Sequence, residues 1–183
     1  MNPIGRGIRV LVIGAIASFL ASGGGQAGAQ TSLQLSSPAF ATGAAVPAEF
    51  TCTGADRSPG LTWTGAPPAT KSFALIVEDP DAPMGTFIHW VVYDLPAAAV
   101  ALNEDVPKTA NLSQGGLQGM NGFGRVGYNG PCPPPGKLHH YHFRLYALDS
   151  IFDLGAVSDA AGVEEAMKGH VIASTELVGT FSR

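Results

Sequence analysis

The chain has 183 residues, 45% of them hydrophobic, and a formal net charge of −4. That is enough apolar material for one domain with a core of its own. An acidic chain with no Lys/Arg cluster and no basic tail makes a poor partner for nucleic acid.

Taken in chain order, the first feature is a leader. Arg6 and Arg9 precede an apolar run from Val10 to Leu20, and small residues follow as far as Ala27-Gly28-Ala29. A basic start, a short apolar stretch and an A-x-A site together read as a secretory signal. The expectation is an exported protein, periplasmic or secreted, with residues 1–29 removed and residues 30–183 forming the mature domain. An uncleaved anchor and a buried first helix are the alternatives, but the run is short for a spanning helix. Once processed, the chain carries no apolar stripe suited to stable membrane insertion.

The remaining elements are mostly β. FTCTG is a turn that holds Cys52, and LTWTG reads as a short strand. SFALIVED is an apolar run suited to a strand covered on both faces. The loop VEDPDAPMG ends it, with Asp79 and Asp81 alternating with Pro80 and Pro83. Proline fixes φ and restricts its predecessor, so these acids are held on a stiff turn. FIHWVVYDL is a β-branched and aromatic strand carrying His89. Residues 103–137 are rich in Gly and Asn with little periodicity, and a connection of that length tends to be functional or mobile. Cys132 lies near its end in GPCPPPG. Export places both cysteines in an oxidising compartment, which predicts a Cys52–Cys132 disulfide, with two buried reduced thiols as the alternative.

YHFRLYALD is the next strand, and a helix follows with Ser158 or Asp159 as N-cap, Glu164 and Glu165 early, and Gly169 beyond Lys168. VIASTELVGTFS closes the chain as a last strand. The architecture expected is mostly β, two antiparallel sheets packed as a sandwich with one or two peripheral helices.

Strand alternation places His139 and Tyr141 on one face and His140, His142 and Arg144 on the other. The same rule puts His89 with Val91 and Tyr93. An acid at a strand end beside a histidine can fix the imidazole tautomer or stabilise its charged form.

DPDAP, HWVVYDLP, GYNGPCPPPG and LHHYHFRLYALD, with FTCTGADRSPGLTWTGAP before them and AMKGHVIASTELVGTFSR after, follow one another along the mature chain. In this order they resemble the phosphatidylethanolamine-binding protein family, most closely its bacterial branch of Raf-kinase-inhibitor-like proteins. The resemblance implies a β-sandwich with a small surface pocket for phosphate, phosphorylethanolamine-type headgroups or carboxylates. It implies that Asp79, His89, His139 and Tyr141 bind the ligand, flanked by Gly130 and Pro131, with Asp81 and Pro83 shaping the loop. It implies no cofactor, and a binding module acting on a small ligand or modulating a partner protein rather than an enzyme. The triple proline after Cys132 departs from simpler members and loosens the alignment of that loop.

Two rivals stand beside this reading. His140 and His142 form an H-x-H pair of the kind used in metal sites, which His89 or Glu78 could extend. Alternatively, Asp79, His89 and His139 could serve as base and orienter in a hydrolase. Neither Ser72 nor Ser58 sits in a nucleophile elbow, and Cys132 could attack only if reduced. His170, after the helix, reads as structural.

Overall fold

The computed structural model describes Met1, residues 32–155 and residues 157–183. Nearly all of the expected signal segment therefore lies outside the described residues. Among those described there are eight strands and one α-helix: β1 (Gln34–Ser36), β2 (Leu61–Thr64), β3 (Ser72–Asp79), β4 (Phe87–Pro96), β5 (Ala101–Leu102), β6 (Leu117–Gln118), β7 (His139–Leu148), α1 (Ala160–Met167) and β8 (Val171–Phe181). They form two antiparallel sheets, one ordered β1-β2-β5 and the other β6-β4-β3-β7-β8.

The apolar run of β3 becomes the centre of the larger sheet, and all eight of its residues are buried. Its alternate side chains serve two cores. Phe73, Leu75 and Val77 face the smaller sheet and join Trp63, Trp90, Phe143 and Leu145. Ala74 and Ile76 face the other way, with Val91 and Tyr93 of β4, onto Val163 and Met167 of α1. Each Val, Leu, Ile, Phe or Met side chain among them, fully buried, contributes roughly 1.5–3 kcal/mol of transfer free energy. The helix starts where its cap predicts: the Gly162 amide donates to Asp159 Oδ1 at 2.9 Å. It ends before Gly169, whose φ of 78° suits a glycine.

The five longer strands fall where the sequence places them. The short strands β1, β5 and β6 have only two or three residues each, too few for a period to show.

One expectation about faces is corrected. Val77 pairs with Trp90, but Glu78 pairs with Ile88. His89 is therefore an extra residue in β4, a β-bulge. The bulge takes His89 off the face of Val91 and Tyr93 and puts its ring edge-on against Tyr141, with centroids 5.2 Å apart. Simple alternation fails at this position because the strand gains a residue there.

Candidate functional site

The site lies at one end of the larger sheet, where β3 ends and β7 begins. The β3–β7 register sets Glu78 opposite His142, so Asp79 falls on the inner face with His139 and Tyr141. His139 Nδ1 and Asp79 Oδ2 are 2.7 Å apart, and both side chains are buried. The other Asp79 oxygen accepts from the Asp81 amide at 2.9 Å. Asp81 repeats the arrangement outside: its Oδ2 accepts from the His140 amide at 2.9 Å and meets His140 Nδ1 at 2.7 Å. These two contacts hold the Asp81 carboxyl below its usual range. The proline-stiffened turn thus clasps two consecutive histidines with two alternating acids.

His89 approaches from β4. Its Nδ1 lies 2.8 Å from the Asn129 carbonyl oxygen. A carbonyl only accepts, so Nδ1 carries the proton and Nε2 is left free. Burial pushes the imidazole pKa down against the hydrogen bond to Asn129 and the charge of Asp79, which keeps the ring neutral and Nε2 a hydrogen-bond acceptor.

Asp79, His89 and His139 form the polar part of a cavity of about 180 Å³. Pro83, Phe87, Phe123, Pro133 and Pro134 supply an apolar rim. The Phe87 and Phe123 rings meet edge to face at 4.8 Å, and each lies against His89. The turn bearing Phe123 rests directly on Phe87, since a Cβ at Gly122 would come within 2.8 Å of that ring.

Tyr141 lies behind the floor rather than in it, fully buried. Its hydroxyl sits beside Asp79 and the Cys132 backbone without a hydrogen bond of sound geometry. Burial first, and the charge of Asp79 second, raise its pKa far above the usual tyrosine value, so it stays a neutral phenol with a proton to give.

Gly130 and Pro131 do not line the cavity. The Gly130 amide donates to Asp56 Oδ1 at 2.7 Å, so it is not a free donor for a ligand. Gly130 has to be glycine, since a Cβ there would meet the Phe50 carbonyl at 2.1 Å. The wall beyond it is pinned. The Cys52 amide donates to the Pro131 carbonyl at 3.1 Å, and Cys52 and Cys132 are disulfide-bonded, with sulfurs 2.10 Å apart.

Phe87 and Phe123 were not singled out by the sequence reading. Phe87 carried a usable signal, two places before His89 at a strand start. Phe123 carried a weaker one, a bulky ring between two glycines in a long loop.

The alternatives find no support. His140 bonds Asp81, whereas His142 bonds Glu176 at 3.1 Å, and Glu78 is taken by Arg144 at 2.8 Å. No group of three or more His, Cys, Asp or Glu side chains able to hold a metal occurs among the described residues. Ser72 bonds the Ser150 carbonyl, at the far end of β3 from Asp79. Ser58 accepts from the Val106 amide. Cys132, bonded to Cys52, has no thiolate to offer.

The family model described as phosphatidylethanolamine-binding protein matches residues 36–182. The chain belongs to the phosphatidylethanolamine-binding protein family. It is 44% identical over 151 residues to a UPF0098 protein of Methanothermobacter thermautotrophicus, covering 82% of this chain and 99% of that one. A UPF0098 protein of Aquifex aeolicus is 46% identical over 154 residues, with 82% and 89% covered. Among solved structures, Escherichia coli YbcL, described as a member of the mammalian PEBP family, superposes with a TM-score of 0.78 at 34% identity, covering 84% of this chain and 99% of that one. A Chlamydia trachomatis PEBP homologue gives 0.76 at 39% identity, with 83% and 98% covered. Among the described residues, no helix of this family member is long and apolar enough to cross a membrane.

Proposed function

We propose that this protein is an exported binding module whose cavity takes the acidic headgroup of a small phosphorylated or carboxylated ligand, free or displayed on a partner protein that it modulates. The observation that carries this reading is the convergence of the Asp79-braced His139 and the free nitrogen of His89 on one small concavity, with the unpaired Tyr141 hydroxyl buried behind its floor. The signal-like N-terminus and the pairing of both cysteines support export. A volume of about 180 Å³ suits a headgroup and not an acyl chain.

The floor holds a carboxylate and no Lys or Arg, so a fully ionised anion would meet repulsion from Asp79. The ligand that fits takes a proton with it into the cavity, as a phosphomonoester can near its second pKa of about 6, and shares it with His89 Nε2. His139, its Nδ1 turned to Asp79, offers Nε2 from the other side. Asp79 acts as the orienter of His139, and an ammonium group on the ligand would find in it a partner.

Isothermal calorimetry with O-phosphorylethanolamine tests this. Wild-type protein is expected to bind it, and His89→Ala to bind at least about tenfold more weakly. Equal heats from the two proteins would remove His89 from the site.

A further inference from the structure

His89 and His139 are held by different means. His139 meets its carboxylate directly. His89 meets the carbonyl of the 129–130 peptide, and the N–H of that same peptide, on Gly130, donates to Asp56 Oδ1 at 2.7 Å. Carboxylate, peptide and imidazole therefore form one hydrogen-bonded chain: Asp56 accepts from an amide whose carbonyl accepts from His89 Nδ1.

The rest of the cluster holds this chain in place. Asp56 Oδ2 accepts from Asn129 Nδ2 at 2.8 Å and from Lys108 Nζ at 2.8 Å. Asn129 Oδ1 accepts from Asn121 Nδ2 at 2.9 Å, and the Asn129 amide returns a bond to the His89 carbonyl at 3.0 Å. Asp56 adopts φ of 54°, a strained value for a residue other than glycine. Asp56 is not part of the cavity lining.

We propose that Asp56 is a positioning residue for His89: through the 129–130 peptide it fixes the proton on Nδ1, aims Nε2 into the cavity and makes that nitrogen a stronger acceptor. This deepens the reading of the cavity as a ligand site and rests on it for its consequence in binding. The physical basis is cooperativity. A carboxylate on the amide side of a peptide polarises its carbonyl, and the polarised carbonyl strengthens the bond it accepts. Asp56 thus does for His89, one peptide removed, what Asp79 does for His139 by contact. It also accounts for Gly130, whose amide serves Asp56 and whose missing side chain lets the turn pass Phe50.

The charged and titratable groups facing His89 are Asp79 from β3, His139 and Tyr141 from β7, and Asp56 through the turn. Of these, Asp56 is paired outside the cavity with Lys108, at 2.8 Å.

The test is heteronuclear NMR of the imidazole nitrogens across a pH titration, in the ligand-free full-length protein and in two variants. In wild type, His89 is expected as the Nδ1–H tautomer. Asp56→Asn removes the charge and is expected to lower the His89 pKa and to weaken the Nδ1 proton signature. Lys108→Ala strips Asp56 of its competing cation, leaves the chain intact, and is expected to move the His89 pKa upward. A merely structural role predicts no such opposed pair. O-phosphorylethanolamine affinity is expected to fall several-fold in Asp56→Asn. An unchanged His89 tautomer and titration in Asp56→Asn would overturn the proposal. Should that variant fail to fold, an absent or downward shift in Lys108→Ala would overturn it instead. Failure of wild type to bind O-phosphorylethanolamine would sink the cavity reading alone, because the tautomer and titration are measured without ligand.

Discussion

At the scale of single residues, the Tyr141 hydroxyl is out of balance. A buried polar group without a partner costs about 1–3 kcal/mol, and this one is buried beside a carboxylate. Tyr141→Phe is therefore expected to raise the urea unfolding free energy by about 1 kcal/mol. A loss of stability would show that the hydroxyl is already satisfied. His89 gives a second prediction, this one in pH. Burial lowers its folded pKa beneath the ordinary histidine value of about 6.5, so below that pH the unfolded chain takes up a proton that the folded chain refuses. Stability then declines as pH falls through about 6.5, by at most about 1.4 kcal/mol per pH unit from this group. Replacing the ring by glutamine should remove that part of the slope, which unfolding curves collected at pH 7.5 and 5.5 would reveal. A ligand that shares its proton with Nε2 reverses the sign, since the bound state holds a proton that the free state lacks. Affinity is expected to rise as pH falls towards 6, with proton uptake measurable by calorimetry in buffers of different ionisation heat.

At the scale of elements, β7 and β4 show what a sequence can and cannot reveal about a site. In β7 the burial alternates from His139 to Leu145 without a break, so the shared face of His139 and Tyr141 was legible from spacing alone. In β4 the same reasoning put His89 on the wrong face. A bulge is settled by how β3 and β4 pair, and one strand's own residues do not announce it. The Asp-Pro loop was legible as stiff, because proline acts locally. Its two clasped histidines were not, because they arrive from about sixty residues away. The Gly130 turn misled for a related reason. A glycine in a tight turn looks like a free amide until the Asp56 carboxylate, distant in sequence, is found to occupy it. The disulfide ties this turn to the segment that supplies Asp56, across a sequence separation of 80 residues. In the chain-entropy model such a cross-link contributes roughly 4 kcal/mol. The Cys52→Ser, Cys132→Ser double variant should unfold at correspondingly lower urea and bind ligand more weakly, because Cys132 and the following prolines form one wall of the cavity. Unaltered binding in that variant would show that the other contacts of the 131–136 segment suffice, among them the Arg183 side chain that donates to the Pro133 carbonyl.

At the scale of the whole molecule, the two sheets and the helix bury β3 on both sides and leave the ends of its neighbours to build the site. This division explains why the fold was far more legible than the site. Apolar runs and caps are repeated signals that survive small errors, whereas the cavity depends on one bulge, one long loop and three distant acids. The acidic chain adds a global constraint. With a net charge of −4, the protein repels anions on average, so any anion must be held by short-range contacts that salt screens weakly. Binding of O-phosphorylethanolamine is accordingly expected to change little between low and physiological ionic strength, in contrast to a site built on surface lysines. The measurement that tests the central claim most directly is a crystal structure of the complex with O-phosphorylethanolamine at saturating concentration. The phosphoryl group is expected between His89 Nε2 and the His139 ring, inside the rim of Phe87 and Phe123. An empty cavity with the ligand bound elsewhere, or not at all, would contradict it.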